Sequence, residues 1–98
     1  MLGTVLVVDD EKGQREILKT ILETEGYDAG VAASGDSALE AVQKNNFDLV
    51  ITDLKMPGMD GHELLKNVLR EKPAVSVIIV TAHGSIDSAV EAIREGAF

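Results

Sequence analysis

Leu49-Val50-Ile51-Thr52-Asp53-Leu54-Lys55-Met56-Pro57-Gly58 opens on a short apolar run rich in β-branched residues, passes an acid and ends in a proline–glycine turn. The opening run reads as a strand buried on both faces, as in a parallel sheet covered by helices. Working outward, Val5-Leu6-Val7-Val8, Gly30-Val31-Ala32 and the stretch from Val75 to Val80 read the same way. Longer segments with helical spacing separate them. Ile17, Leu18, Ile21 and Leu22 form one stripe, and Ala38, Leu39 and Val42 a second. Leu64, Leu65, Val68 and Leu69 form a third, and Ile86, Ala89, Val90 and Ile93 a fourth. Ser34 and Ser85 are placed to cap the second and fourth helices, Asp60 the third, and Gly26 to close the first. This alternation, β-α repeated four times, predicts an α/β fold with an open, doubly wound parallel sheet and right-handed crossovers.

The 98 residues suit one domain, residues 1–98, with a core that needs no staples. Hydrophobic residues make up 45% of the chain, which favours a folded domain over disorder. There is no cysteine, so disulfides and thiolate metal sites are excluded. No apolar run has the length of a bilayer span, and a cytoplasmic location is the expectation. The formal net charge of −8 argues against direct nucleic-acid binding by this domain, because phosphate contacts need clustered Lys and Arg.

Ligands of open parallel sheets bind beyond the carboxyl ends of the strands, where the strand order reverses. Asp9, Asp10 and Glu11 follow the first strand, and Asp53, Leu54 and Lys55 follow the third. Thr81 closes the fourth and precedes Ala82, His83 and Gly84. If the first, third and fourth strands are neighbours, two or three carboxylates and one hydroxyl converge. Crowded carboxylates repel, and a hard divalent cation with oxygen ligands resolves the conflict. Mg²⁺ suits a site with few carboxylates that also expects phosphate. Asp53 can then act as a carboxylate nucleophile toward phosphorus, with the Thr81 hydroxyl donating to a phosphoryl oxygen. Each residue also has a simpler reading. Asp9, Asp10 or Glu11 can cap the first helix, Asp53 can organise the turn, and Thr81 can be a β-branched strand end. Lys55 and His83 read as solvated, and Met56 and Met59 as packing or turn residues.

Val7-Val8-Asp9-Asp10-Glu11 resembles the acidic opening of response-regulator receiver domains, the CheY-like superfamily. The stretch from Ile51 to Gly61 resembles their phosphoacceptor segment, and Val80-Thr81-Ala82-His83-Gly84 their switch segment. The resemblance runs the length of the chain with motifs in order. It implies a flavodoxin-like sheet and a phosphoryl group on Asp53, donated by a sensor histidine kinase. Asp10 then maps to the direct metal ligand alongside Asp53, Asp9 to a neighbour acting through water, and Lys55 to a ligand through its backbone carbonyl. Thr81 maps to the hydroxyl that moves on activation. Mg²⁺ is the implied cofactor, with Mn²⁺ an alternative that the same ligands accept. Thr81 to Phe98 is similar to receivers of NtrC-like, enhancer-binding AAA+ transcription activators.

Family members continue past Gly96-Ala97-Phe98 into a fifth strand carrying a lysine and then a fifth helix, so the sequence reads as truncated at its C-terminal end. The fourth strand is then expected to be an apolar edge open to edge-paired oligomers, while the resemblance implies a dimer. The expected readout is the face of the fourth helix, roughly Ala82 to Gly96, toward an output domain or second receiver. The domain is regulatory rather than a conventional enzyme. A pseudo-receiver, the same fold binding partners without phosphorylation, is the alternative. A phosphohydrolase needs a second acid two residues after the nucleophile, where Lys55 stands. A flavin carrier needs a phosphate-cradling loop after the first strand, where the acids stand.

Overall fold

The computed structural model describes residues 3–80. Strands and helices alternate strictly: β1 (Thr4–Val8), α1 (Lys12–Thr24), β2 (Asp28–Ala32), α2 (Gly35–Lys44), β3 (Leu49–Asp53), α3 (Gly61–Glu71) and β4 (Ser76–Val80). All four strands pair in parallel in one sheet of order β2-β1-β3-β4. The chain first places β2 on one side of β1, then crosses back to add β3 and β4 on the other. That is the doubly wound α/β architecture expected from the alternation. The fourth helix read around Ile86, Ala89, Val90 and Ile93, with its cap Ser85, lies outside the described residues.

The apolar runs are explained by burial on both faces. In β1, Val5 and Val7 join a core with Leu18 and Leu22 of α1. Leu6 and Val8 join a second core with Ala38 and Val42 of α2 and Leu64 and Val68 of α3. β3 divides in the same way, Leu49 and Ile51 to the first core and Val50 to the second. Alternate residues of a strand point to opposite faces, so a strand sandwiched by helices needs apolar residues at every position. Each such side chain, fully buried, contributes roughly 1.5–3 kcal/mol.

Helix ends follow local chemistry. Ser34 Oγ accepts a hydrogen bond from the Ser37 N–H at 3.1 Å, and Asp60 Oδ1 accepts one from the Glu63 N–H at 2.9 Å. These satisfy amide donors that the first helical turn leaves free. Gly26 follows α1 with φ +99°, a left-handed conformation that glycine adopts without a Cβ clash.

The structure corrects several details. β2 begins at Asp28, two residues before the expected Gly30, and β3 runs on to Asp53. Val75 precedes β4 rather than opening it, although it is buried in the second core. Ile17 and Leu69 leave the core stripes and stand 52% and 43% exposed. Their neighbours Leu18 and Val68 are buried instead, because consecutive helical residues lie about 100° apart and cannot both face the sheet. Val31 is exposed as well, on the outermost strand β2.

Candidate functional site

β1 and β3 are direct neighbours, and Val8 lies opposite Thr52. The next residue on each strand is an aspartate, so Asp9 and Asp53 emerge side by side at the carboxyl edge of the sheet. Three hydrogen bonds hold Asp9. Its N–H donates to the Ala32 carbonyl at 3.2 Å, which continues the pairing toward β2. Its carbonyl accepts from Arg15 Nη1 at 2.8 Å, and its Oδ1 accepts from the Glu11 N–H at 2.9 Å. The acids do not cap α1 in the expected manner, since Glu11 occupies the cap position with no side-chain cap bond.

Asp53 is the last residue of β3 and pairs in register with Val80 of β4. The following amide, Leu54 N–H, donates to the Val80 carbonyl at 2.9 Å. Thr52, fully buried, donates through Oγ1 to the Asp53 carbonyl at 3.0 Å. The start of α3 presses against this backbone. Gly61 N–H donates to the Leu54 carbonyl at 2.9 Å, and a Cβ on Gly61 would fall 2.6 Å from the Asp53 carbonyl oxygen. Between them the chain turns at Gly58, with φ +76°, while Met56 fills the second core. Met59 covers the start of α2, where a Cβ on Gly35 would come within 2.7 Å of the Met59 Cβ. Met56 and Met59 are thus packing residues, as expected, and the Lys55 side chain is exposed.

One carboxylate oxygen from each of Asp9, Asp10 and Asp53 lies within 4.8 Å of the others. The three differ in environment: Asp9 is buried, Asp53 half-buried and Asp10 exposed. The Asp53 Oδ1 atom is itself buried and has no hydrogen-bond partner among the described residues. Burial raises the Asp9 pKa above its ordinary 3.8; the Glu11 N–H opposes this, and the negative charges of Asp53, Asp10 and Glu11 reinforce it. This is the repulsion expected of crowded carboxylates. An all-oxygen donor set with an orphaned carboxylate oxygen fits a hard divalent cation. Thr81, the expected hydroxyl, lies outside the described residues, as do Ala82, His83 and Gly84.

Two contributors were not anticipated. Arg15 carries no motif of its own, and its bond to the Asp9 carbonyl appears only when α1 is placed against β1. Gly61 left a trace, because a glycine directly after a capping aspartate occupies a helical position that glycine disfavours.

Residues 5–98 match the response regulator receiver domain family, and the chain belongs to it. The response regulator protein FleR of Pseudomonas aeruginosa is 41% identical over 97 residues, covering 99% of this chain and 20% of FleR. The transcriptional regulatory protein ZraR of Escherichia coli K12 is 44% identical over 93 residues, covering 95% of this chain and 21% of ZraR. The chain therefore spans about a fifth of the length of these curated relatives. Among solved structures, the response regulator TrrA of Thermotoga maritima in complex with Mg²⁺-BeF superposes with a TM-score of 0.80 at 37% identity, covering 94% of this chain and 80% of TrrA. TrrA in complex with the histidine kinase ThkA matches with a TM-score of 0.78 at 40% identity, covering 84% of this chain and 71% of that one. Among the described residues no helix is long and apolar enough to cross a membrane.

Proposed function

We propose that residues 1–98 act as one receiver domain of a two-component system, in which Asp53 accepts a phosphoryl group from a sensor histidine kinase. The observation that carries this reading is the Asp53 Oδ1 atom, buried without a partner among the described residues at the carboxyl edge of the sheet and grouped with Asp9 and Asp10. A buried acceptor left unsatisfied costs about 1–3 kcal/mol, more when charged, so such an arrangement is expected where a ligand completes it.

Asp10, Asp53 and the Lys55 backbone carbonyl would hold Mg²⁺ or Mn²⁺ directly, and Asp9 through water. When bound, the cation supplies positive charge against the phosphoryl oxygens and the acids around them. The protein's own part is nucleophilic. An Asp53 carboxylate oxygen attacks phosphorus as the P–N bond of a phosphohistidine breaks. The ring nitrogen keeps the bonding pair, and because the other nitrogen already carries a proton in the phosphohistidine, the imidazole leaves neutral. The product is an aspartyl phosphate, which water later cleaves to inorganic phosphate and the original carboxylate. Thr81 donates its hydroxyl to a phosphoryl oxygen and follows it, biasing a two-state equilibrium. The fourth-helix face, residues 82–96, carries the change to an output domain or to a second receiver in a dimer. The domain regulates rather than turns over a substrate, in the cytoplasm, and its output is that of an NtrC-like AAA+ activator; the name of ZraR, a transcriptional regulatory protein, supports the transcriptional part of this reading.

Intact mass after incubation with acetyl phosphate tests the chemistry. One added phosphoryl group that needs both Mg²⁺ and Asp53, and is absent from Asp53→Asn, is the expected result. No adduct in the wild type, nor in a version extended through the family's fifth strand, leaves the interaction module in its place.

A further inference from the structure

We infer that Arg15 is a positioning residue for the acidic loop, locking the backbone of Asp9 so that Asp9 and Asp10 stay within reach of Asp53. The inference rests on the metal site proposed above. Its starting point is an asymmetry among the helices. α2 and α3 begin with a capping side chain, Ser34 and Asp60. α1, the helix that follows the acids, begins at Glu11 with no side-chain cap bond and has Gly13 in its first turn. A Cβ at Gly13 would meet nothing within 4 Å, so that position packs against no neighbour, and the turn is held by polar contacts such as Gln14 Nε2 donating to Glu11 Oε2 at 3.2 Å. An uncapped start containing glycine frays readily.

Arg15 compensates from within the helix. Its backbone N–H donates to the Glu11 carbonyl at 3.1 Å, and its half-buried side chain turns back so that Nη1 donates to the Asp9 carbonyl at 2.8 Å. The guanidinium therefore bridges the first turn of α1 and the end of β1, spanning the loop that carries Asp10. Its target is the main chain, not a carboxylate, so it leaves the acidic oxygens free for a cation. A charged donor is stronger than a neutral one, and guanidinium geometry is rigid. With Ala32 and Glu11 on the other two groups, Arg15 completes the immobilisation of Asp9. Outer partners of this kind govern metal affinity through the orientation of the ligands.

The test is an Mg²⁺ titration of the 98-residue chain followed by amide NMR shifts, for wild type, Arg15→Met, Arg15→Lys and Asp10→Asn. Arg15→Met keeps an apolar stem and removes the donors, and its dissociation constant is expected to rise about ten-fold. Arg15→Lys keeps a charged donor and recovers part of the affinity. A purely structural role would lower the melting temperature without changing the affinity of the folded molecules. If the wild type shows no Mg²⁺ response, the metal-site reading fails and this inference with it. If wild type responds and Asp10→Asn does not, while Arg15→Met titrates like wild type, the site stands and the role of Arg15 is overturned. Should Arg15→Met not fold, the wild-type guanidinium decides. Resolved Arg15 Nη signals protected from exchange support the bond to Asp9, and an averaged, freely exchanging signal refutes it.

Discussion

Replacing Gly61 with alanine sets one methyl group against the backbone that presents Asp53. The added Cβ would lie 2.6 Å from the Asp53 carbonyl oxygen, 2.9 Å from the Leu54 Cα and 3.3 Å from the Asp53 carbonyl carbon. Ordinary van der Waals contact begins at 3.4 Å, so α3 and the end of β3 must separate by about 0.8 Å. All three atoms belong to the main chain, and no flexible side chain can yield. The separation also stretches the 2.9 Å hydrogen bond from Gly61 N–H to the Leu54 carbonyl. Overpacking of this kind costs roughly 1–3 kcal/mol. The gain in helix propensity on replacing glycine by alanine, at most about 1 kcal/mol, offsets part of it. A net loss of about 1–2 kcal/mol follows, and at roughly 4–8 °C per kcal/mol the melting temperature falls by about 5–15 °C. Thermal melts by circular dichroism in Mg²⁺-free buffer measure this directly, and labelling of the folded fraction by acetyl phosphate is expected to slow as Asp53 shifts. An unchanged or raised melting temperature would refute the argument that these two backbones meet at their limit.

Three further outcomes are expected. Gly13→Ala, whose new Cβ meets nothing within 4 Å, stabilises the chain by about 0.5–1 kcal/mol, measured as a higher urea midpoint at constant slope. Asp9 titrates above its ordinary value when folded, chiefly through burial, so the folded state binds its proton more tightly than the unfolded state does. Its contribution in Mg²⁺-free buffer therefore opposes folding at neutral pH and fades as the pH falls through the folded pKa. Asp9→Asn is accordingly the more stable protein near neutrality, and denaturant melts across the acid range show that advantage shrinking; an advantage independent of pH would contradict the assignment. Leu64→Ala, at a fully buried position of the second core, costs about 2–5 kcal/mol in the same melts.

How far the sequence could be read depends on what each feature needs. Strand and helix identities follow from periodicity, which is local, and so do the caps at Ser34 and Asp60. The convergence of Asp9, Asp10 and Asp53 was also readable, because it needs only the positions of acids at strand ends and the neighbour relation of β1 and β3. Tertiary features were not. Asp53 lies inside β3 because Val80 of β4 pairs with it, a partner that residues 49–58 do not name. Ile17 and Leu69 belong to apolar stripes, yet the rotation of each helix about its axis turns Leu18 and Val68 to the sheet and leaves the first two exposed. The Arg15 bond and the Gly61 contact are meetings of one element with another, and neither leaves a periodic trace.

Asp10 and Asp53 are far apart along the chain and meet only because Val8 of β1 stands opposite Thr52 of β3. A slip of β3 by one residue against β1 would turn every side chain of the strand to the other face and carry the Asp53 carboxylate away from its companions. Under the proposed chemistry, covalent labelling of Asp53 becomes a gauge of strand alignment. In a population of molecules, the labelled fraction counts those whose central strands are correctly matched, including against collapsed states that keep native-like helix content but have lost the match.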